Sequence, residues 1–177
     1  MADLTFRTLD LKGVVLVSSI PVADERGSFG RVFDASAFAE NGLPVDIVQE
    51  SVSRNARAHT LRGLHGTIPS HPEAKYVSCT RGRIFDVIVD ARAGSESAGK
   101  WISIELTEER DEQLFVPAGC LHGLQTLSDE AIVRYRMAVA FDPDAFVGAH
   151  YASAALGIRW PADPSIISAR DLALPAF

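Results

Sequence analysis

The sequence lacks any apolar run long enough to cross a membrane as a helix. Its longest apolar stretches are strand-sized, far below the roughly 20 residues that such a helix needs. Its start, MADLTFRTLDLKG, carries charges where a secretory leader needs an apolar core. No membrane partner is expected, and the expected compartment is cytoplasmic. An excess of basic charge is also missing: 17 Lys and Arg stand against 23 Asp and Glu, a formal net charge of −6. Nucleic acid is therefore not an expected partner, since its footprint is a basic stripe. A small anionic ligand remains compatible, because a few clustered arginines survive within a negative total. Cysteine is scarce. Cys79 and Cys120 form no C-x-x-C pair, and both sit among apolar residues, as buried free thiols do. Repeats, low-complexity tracts and charge blocks are absent.

Helix signals are few. DASAFAENGL offers Asp34 as an N-cap and Gly42 as a stop, TEERDEQ a single helical turn, and SARDLAL a short helix near the end. Short β-type runs are plentiful: GVVLVSSI, VDIVQESVS, KYVSCT, RIFDVIVDA, GKWISIEL, EQLFVP, GLQTL and AIVRYRMAVAF. In RIFDVIVD, Phe85, Val87 and Val89 share one face. Arg81-Gly82 between two runs predicts a hairpin. No strand–helix alternation supports a parallel α/β sheet. The pattern predicts an all-β sandwich or barrel, the jelly-roll group included, with a few short flanking helices, as one domain over residues 1–177.

The chemistry-bearing residues are each ambiguous alone. VPAGCLHG places His122 after a Pro-Gly turn, and P-x-G-x-x-H resembles the second motif of cupin jelly rolls. The first cupin motif, with its His-x-His, has no counterpart, since residue 67 is Thr. Only His65 and His122 are placed to ligate, so no metal site is expected. In LRGLH, strand alternation sends Arg62 and Leu64 to one face and Leu61, Gly63 and His65 to the other, unless a bulge at Gly63 resets it. Lys75 opens a strand, where a lysine commonly snorkels to water. Tyr135 shares an apolar face with Val133 and Met137, opposite Arg134 and Arg136. Asp171 follows Ser-Ala-Arg, where it can cap a helix.

Together the motifs DERGSFGRVF, TLRGLH, EAKYVSCTRGRIFDVIVDARAGS, GKWISIELTEE, QLFVPAGCLHGLQTLSDEA, LGIRWP and SARDLALPAF, in that order, resemble the dTDP-4-dehydrorhamnose 3,5-epimerase family from about Gly13 to Phe177. The resemblance implies an all-β, cupin-like jelly-roll barrel and an isomerase that acts on a nucleotide-linked (dTDP) 4-keto-6-deoxyhexose without a metal or redox cofactor. It implies His65 as base with Asp171 as its partner, Lys75 at the enolate oxygen and Tyr135 as acid. It also implies His122 as a hydrogen-bond donor to the sugar, and Arg26, Gln49 and Arg62 at the nucleotide and phosphates. Phe29 would then pack on the base, and Arg170 would join the anion site. A homodimer is implied too, with DERG acting across the interface. The sequence departs from the family at Gly66-Thr67, Glu50, Val52, Arg31 and Ala140, positions that bear on which nucleotide and sugar are taken. Two rival readings are a metal-dependent cupin enzyme and a non-catalytic nucleotide-sugar binding module.

Overall fold

A computed structural model describes residues 3–177. Two antiparallel sheets face each other. The first has six strands in the order β1 (Asp3–Thr8), β2 (Val15–Ile20), β10 (Glu112–Val116), β7 (Lys75–Arg81), β12 (Ala131–Met137) and β5 (Gln49–Asn55). The second has five, in the order β13 (Phe146–Gly148), β6 (Leu61–Thr67), β11 (Cys120–Thr126), β8 (Arg83–Asp90) and β9 (Trp101–Thr107). A small hairpin of β3 (Val22–Asp24) and β4 (Gly27–Phe29) stands apart. The expected all-β jelly roll is the fold observed.

Period-2 patterning explains the layers. Leu16, Val77, Leu114 and Val133 of the first sheet meet Ile84, Ile88, Leu106 and Leu124 of the second in the central core. The opposite face of β8, with Phe85, Val87 and Val89, packs under Leu156, Ile158 and Trp160 of the C-terminal segment. The outer face of the first sheet is covered by α1 (Ala35–Glu40), whose Phe38 is fully buried among Val17, Tyr76 and Phe115. Asp34 caps α1 as expected, accepting the amides of Ser36 and Ala37 at 3.1 Å. A second helix, α2 (Ala169–Leu172), is capped by Ser168, so Asp171 is free of that duty.

Two local expectations fail for one reason. Arg81-Gly82 does not turn a hairpin: β7 pairs with β10 and β12, β8 with β11 and β9, and Gly82 carries the chain from one sheet to the other. TEERDEQ makes a turn and no helix, because it too crosses between sheets, from β9 to β10. There the Glu108 amide donates to the Gly82 carbonyl at 3.0 Å and the Asp111 carbonyl accepts from the Ser19 amide at 2.9 Å. Those backbone groups are tied to other strands and cannot close a helical turn.

Candidate active site

The chain can put Arg62 and His65 on the same face only by breaking the alternation of β6. It does so at Gly63. His65 pairs with His122 and Arg62 with Leu124, so two residues of β6 span what one residue, Gly123, spans on β11. This is a bulge. Gly63 adopts φ +115°, and a Cβ there would lie 2.5 Å from the Gly123 Cα. No other residue fits. Leu64 turns to the outer core, while Arg62 and His65 both line a cavity of about 450 Å³.

That cavity lies between the sheets. Its walls include Gln49 of β5, Arg62 and His65 of β6, Lys75 of β7, His122 of β11 and Tyr135 of β12. Six of the ten residues singled out in the sequence thus converge. His65 and His122 come from the five-stranded sheet, Lys75 and Tyr135 from the six-stranded one.

Behind His65 stands Asp171. The His65 Nε2 lies 2.7 Å from Asp171 Oδ1, and Asp171 Oδ2 accepts the Gly63 amide at 3.2 Å. The Asp171 side chain is 6% exposed and that of His65 33%. A carboxylate partner assigns the ring proton to Nε2 and leaves Nδ1 as the basic nitrogen. Burial lowers the His65 pKa below its ordinary 6.5, aided by the charges of His122 and Lys75 and opposed by Asp171. The Tyr135 hydroxyl is pushed the other way, well above its ordinary range, first by burial and then by the nearby Asp86 carboxylate. The phenol therefore keeps its proton at neutral pH.

His122 is part of a second pair, its Nε2 2.7 Å from Asp86 Oδ1 and both side chains buried. With Nε2–H given to Asp86, a neutral His122 offers Nδ1 as an acceptor; it donates to a ligand only as imidazolium. Asp86 was not singled out in the sequence, yet a signal existed. Once Phe85, Val87 and Val89 face outward, Asp86 must face in, an acid set between Ile84 and Ile88 on the inner face. Glu73, 2.7 Å from the Lys75 Nζ, was also missed, as was Asn55, whose Oδ1 accepts the Arg62 Nε–H at 2.7 Å. Phe141, exposed at the mouth, has its amide held by Gln49 Oε1 at 2.8 Å.

Arg170 lines an adjoining cavity of about 210 Å³ that shares His65, Glu73 and Lys75. Its guanidinium lies 3.6 Å from the Phe146 ring centroid, and that ring backs His65 at 5.1 Å. Arg26 and Phe29 do not reach either cavity. They sit on the β3–β4 hairpin, where Arg26 bonds Asp24 and Phe29 is 77% exposed. Among the described residues no group of three or more His, Cys, Asp or Glu side chains is arranged to hold a metal ion. Among the same residues no helix is long and apolar enough to cross a membrane.

Comparison with known proteins agrees with this fold. Residues 8–177 match the family described as dTDP-4-dehydrorhamnose 3,5-epimerase. The dTDP-4-dehydrorhamnose 3,5-epimerase of Methanothermobacter thermautotrophicus is 38% identical over 97% of this chain and 93% of its own. The solved structure of the dTDP-4-dehydrorhamnose 3,5-epimerase from Bacillus anthracis, with TDP and PPi bound, superposes with a TM-score of 0.95 at 30% identity, covering 99% of this chain and 100% of that one. A 3'-monoepimerase from Streptomyces bikiniensis in complex with dTDP-quinovose gives a TM-score of 0.88 at 30% identity, over 95% and 85% of the two chains. With these matches spanning nearly its whole length, the chain belongs to the dTDP-4-dehydrorhamnose 3,5-epimerase family of isomerases.

Proposed function

We propose that the cavity takes a dTDP-linked 4-keto-6-deoxyhexose and inverts C3, C5 or both, with His65 as base and Tyr135 as acid. The C4 ketone acidifies the hydrogens on its two neighbouring carbons, because the electrons left behind delocalise onto the C4 oxygen. His65 Nδ1 takes one such proton. Asp171 then stabilises the imidazolium through Nε2–H. The Lys75 ammonium faces the developing enolate oxygen, where one well-placed donor contributes roughly 3–4 kcal/mol. Tyr135 returns a proton from the other side. Arg62, held in place by Asn55, receives the pyrophosphate with Gln49 and Arg170 nearby, since a guanidinium fork matches phosphate oxygens. His122, backed by Asp86, meets a sugar hydroxyl. The reaction is redox-neutral, and the substrate's own ketone supplies the acidity.

The observation that carries this reading is the opposition of base and acid across two facing sheets. Inversion needs proton removal and return on opposite faces; a module that only binds the nucleotide has no use for that opposition. A second copy of the chain completes the nucleotide end. The exposed hairpin carries Arg26 and Phe29 away from their own cavity, with exposed Val22 on it and Ile20 just before it, and exposed Val48 and Val52 lie at the opposite edge of the six-stranded sheet. The edge strand β5, paired on one side only, offers a place for it to dock.

The test is Tyr135→Phe in deuterated water. The enolate should still form, and its deuteron should return mostly from the original face. Label should therefore wash into C3 or C5 with little inversion, whereas the native protein couples the two. Wild-type inversion by Tyr135→Phe would remove Tyr135 as the acid.

A further inference from the structure

The sugar-facing lysine does not stand alone. Glu73 Oε1 lies 2.7 Å from Lys75 Nζ, and the two side chains are 14% and 12% exposed. Glu73 lies just before β7, and its amide donates to the inward Thr67 hydroxyl of β6 at 3.3 Å. Both cavities are lined by His65, Glu73 and Lys75 together. The other charged or titratable groups around this lysine are mostly cationic or basic: Arg62 and His65 from β6, His122 from β11, and Arg170 in the adjoining cavity, with Tyr135 of β12, and Asp142 on the adjoining side. Asp171 and Asp86 are already taken by the two histidines. Glu73 is the carboxylate bonded to Lys75.

We propose that Glu73 is a positioning residue for the epimerisation, holding the Lys75 ammonium at the point where the C4 oxygen of the sugar will gain charge. A lysine side chain is a flexible stem, and an unpartnered ammonium among cationic neighbours would turn away toward solvent. An ammonium has three N–H donors. Glu73 occupies one and leaves two for the substrate. Thr67 fixes the loop that delivers Glu73, so the residue following Gly66 acts on the reaction through two hydrogen-bonded links. The inference rests on the role given above to Lys75.

A double-mutant cycle tests it, because residues acting as a unit lose energy non-additively. Glu73→Ala should lower kcat roughly tenfold or more, the scale of a broken coupled pair, with KM little changed. Glu73→Gln, whose amide oxygen accepts the same bond, should recover most of that loss. In a Lys75→Met background, Glu73→Ala should add less than about a twofold further loss. Circular dichroism and thermal unfolding confirm that each variant is folded. If Glu73→Ala does not fold, Glu73→Asp, which withdraws the carboxylate by one methylene, replaces it in the same cycle. Native kcat in Glu73→Ala, or a full additive loss on top of Lys75→Met, overturns the proposal. Native kcat in Lys75→Met overturns the role of Lys75 itself, a distinct result.

Discussion

Replacing Gly63 by alanine should damage the fold and the chemistry together, because one backbone position holds both. Alanine at φ +115° is outside the conformations that residues with a Cβ readily adopt, a cost of about 1–3 kcal/mol. The new Cβ would also sit 2.5 Å from the Gly123 Cα and 2.8 Å from the His122 carbonyl oxygen. These are backbone atoms of the central strand β11 and cannot rotate aside, which adds about 1–3 kcal/mol of overpacking. A total of about 4 kcal/mol is a large share of the roughly 5–15 kcal/mol that holds such a domain together. For a chain of this size it corresponds to a fall in Tm of roughly 10 °C. Any relaxation that separates β6 from β11 also moves the Gly63 amide off Asp171 and rotates Arg62 or His65 out of the cavity. Turnover should therefore fall on the order of 100-fold even where the variant is fully folded. Gly27→Ala is the control. Gly27 has φ +125° but nothing within 4 Å of its Cβ position, so it reports the dihedral cost alone and should lose about half as much stability. Thermal unfolding and a coupled epimerase assay read both effects. Native Tm and native turnover in Gly63→Ala would refute the bulge as the device that aligns Arg62 with His65.

The acid limb of kcat/KM should lie below pH 6.5, since burial depresses the His65 pKa and only the neutral ring is a base; the same depression means that His65 favours the folded state above that pH and ceases to as the pH falls. A limb at or above 6.5 would contradict it. Asp171→Asn should move the limb further down, by removing an interaction that raises the pKa, and should cut the plateau on the order of 100-fold or more. The amide oxygen would turn to the Gly63 N–H, leaving its NH₂ against His65 Nε2 and forcing the ring proton onto Nδ1. If hairpin and cavity belong to different copies, Arg26→Ala and His65→Ala chains, each impaired alone, should regain activity when unfolded and refolded together as a mixture. A mixture no better than its parts, in a sample shown to be dimeric, would place Arg26 outside the partner's site.

What could be read from the sequence divides by the range of the interactions. Side-chain parity is local, so the outward face of β8, the apolar setting of Tyr135 and the opposite course of Arg134 and Arg136 follow from alternation alone. Asp86 follows as well, once the parity of its neighbours is granted. The misread stretches are those where the next partner is far away in sequence. Arg81-Gly82 carries a hairpin's chemistry, and TEERDEQ a helix former's composition. In each the chain has only a few residues in which to cross from one sheet to the other, and that geometric demand outweighs propensity. LRGLH is the intermediate case: alternation alone left its register open, and only the pairing of Arg62 with Leu124 and His65 with His122 fixes the bulge.

The same division separates reaction from specificity. Lys75, His122 and Tyr135 follow strand parity, and His65 sits on β6 just past its bulge, so their convergence is set by the backbone of a two-sheet barrel and tolerates change elsewhere. Several groups proposed to meet the nucleotide and the sugar stand on less regular ground. Phe141 and Arg170 lie at loop and helix ends, and Arg26 and Phe29 on a detached hairpin. The departures at Arg31, Glu50, Val52, Gly66, Thr67 and Ala140 likewise avoid the acid and base. A chain built this way can keep its proton-transfer geometry while its ligand contacts drift. Whether C3, C5 or both are inverted then depends on how these contacts seat the ring between His65 and Tyr135, and the position of deuterium in the Tyr135→Phe product reports that seating directly.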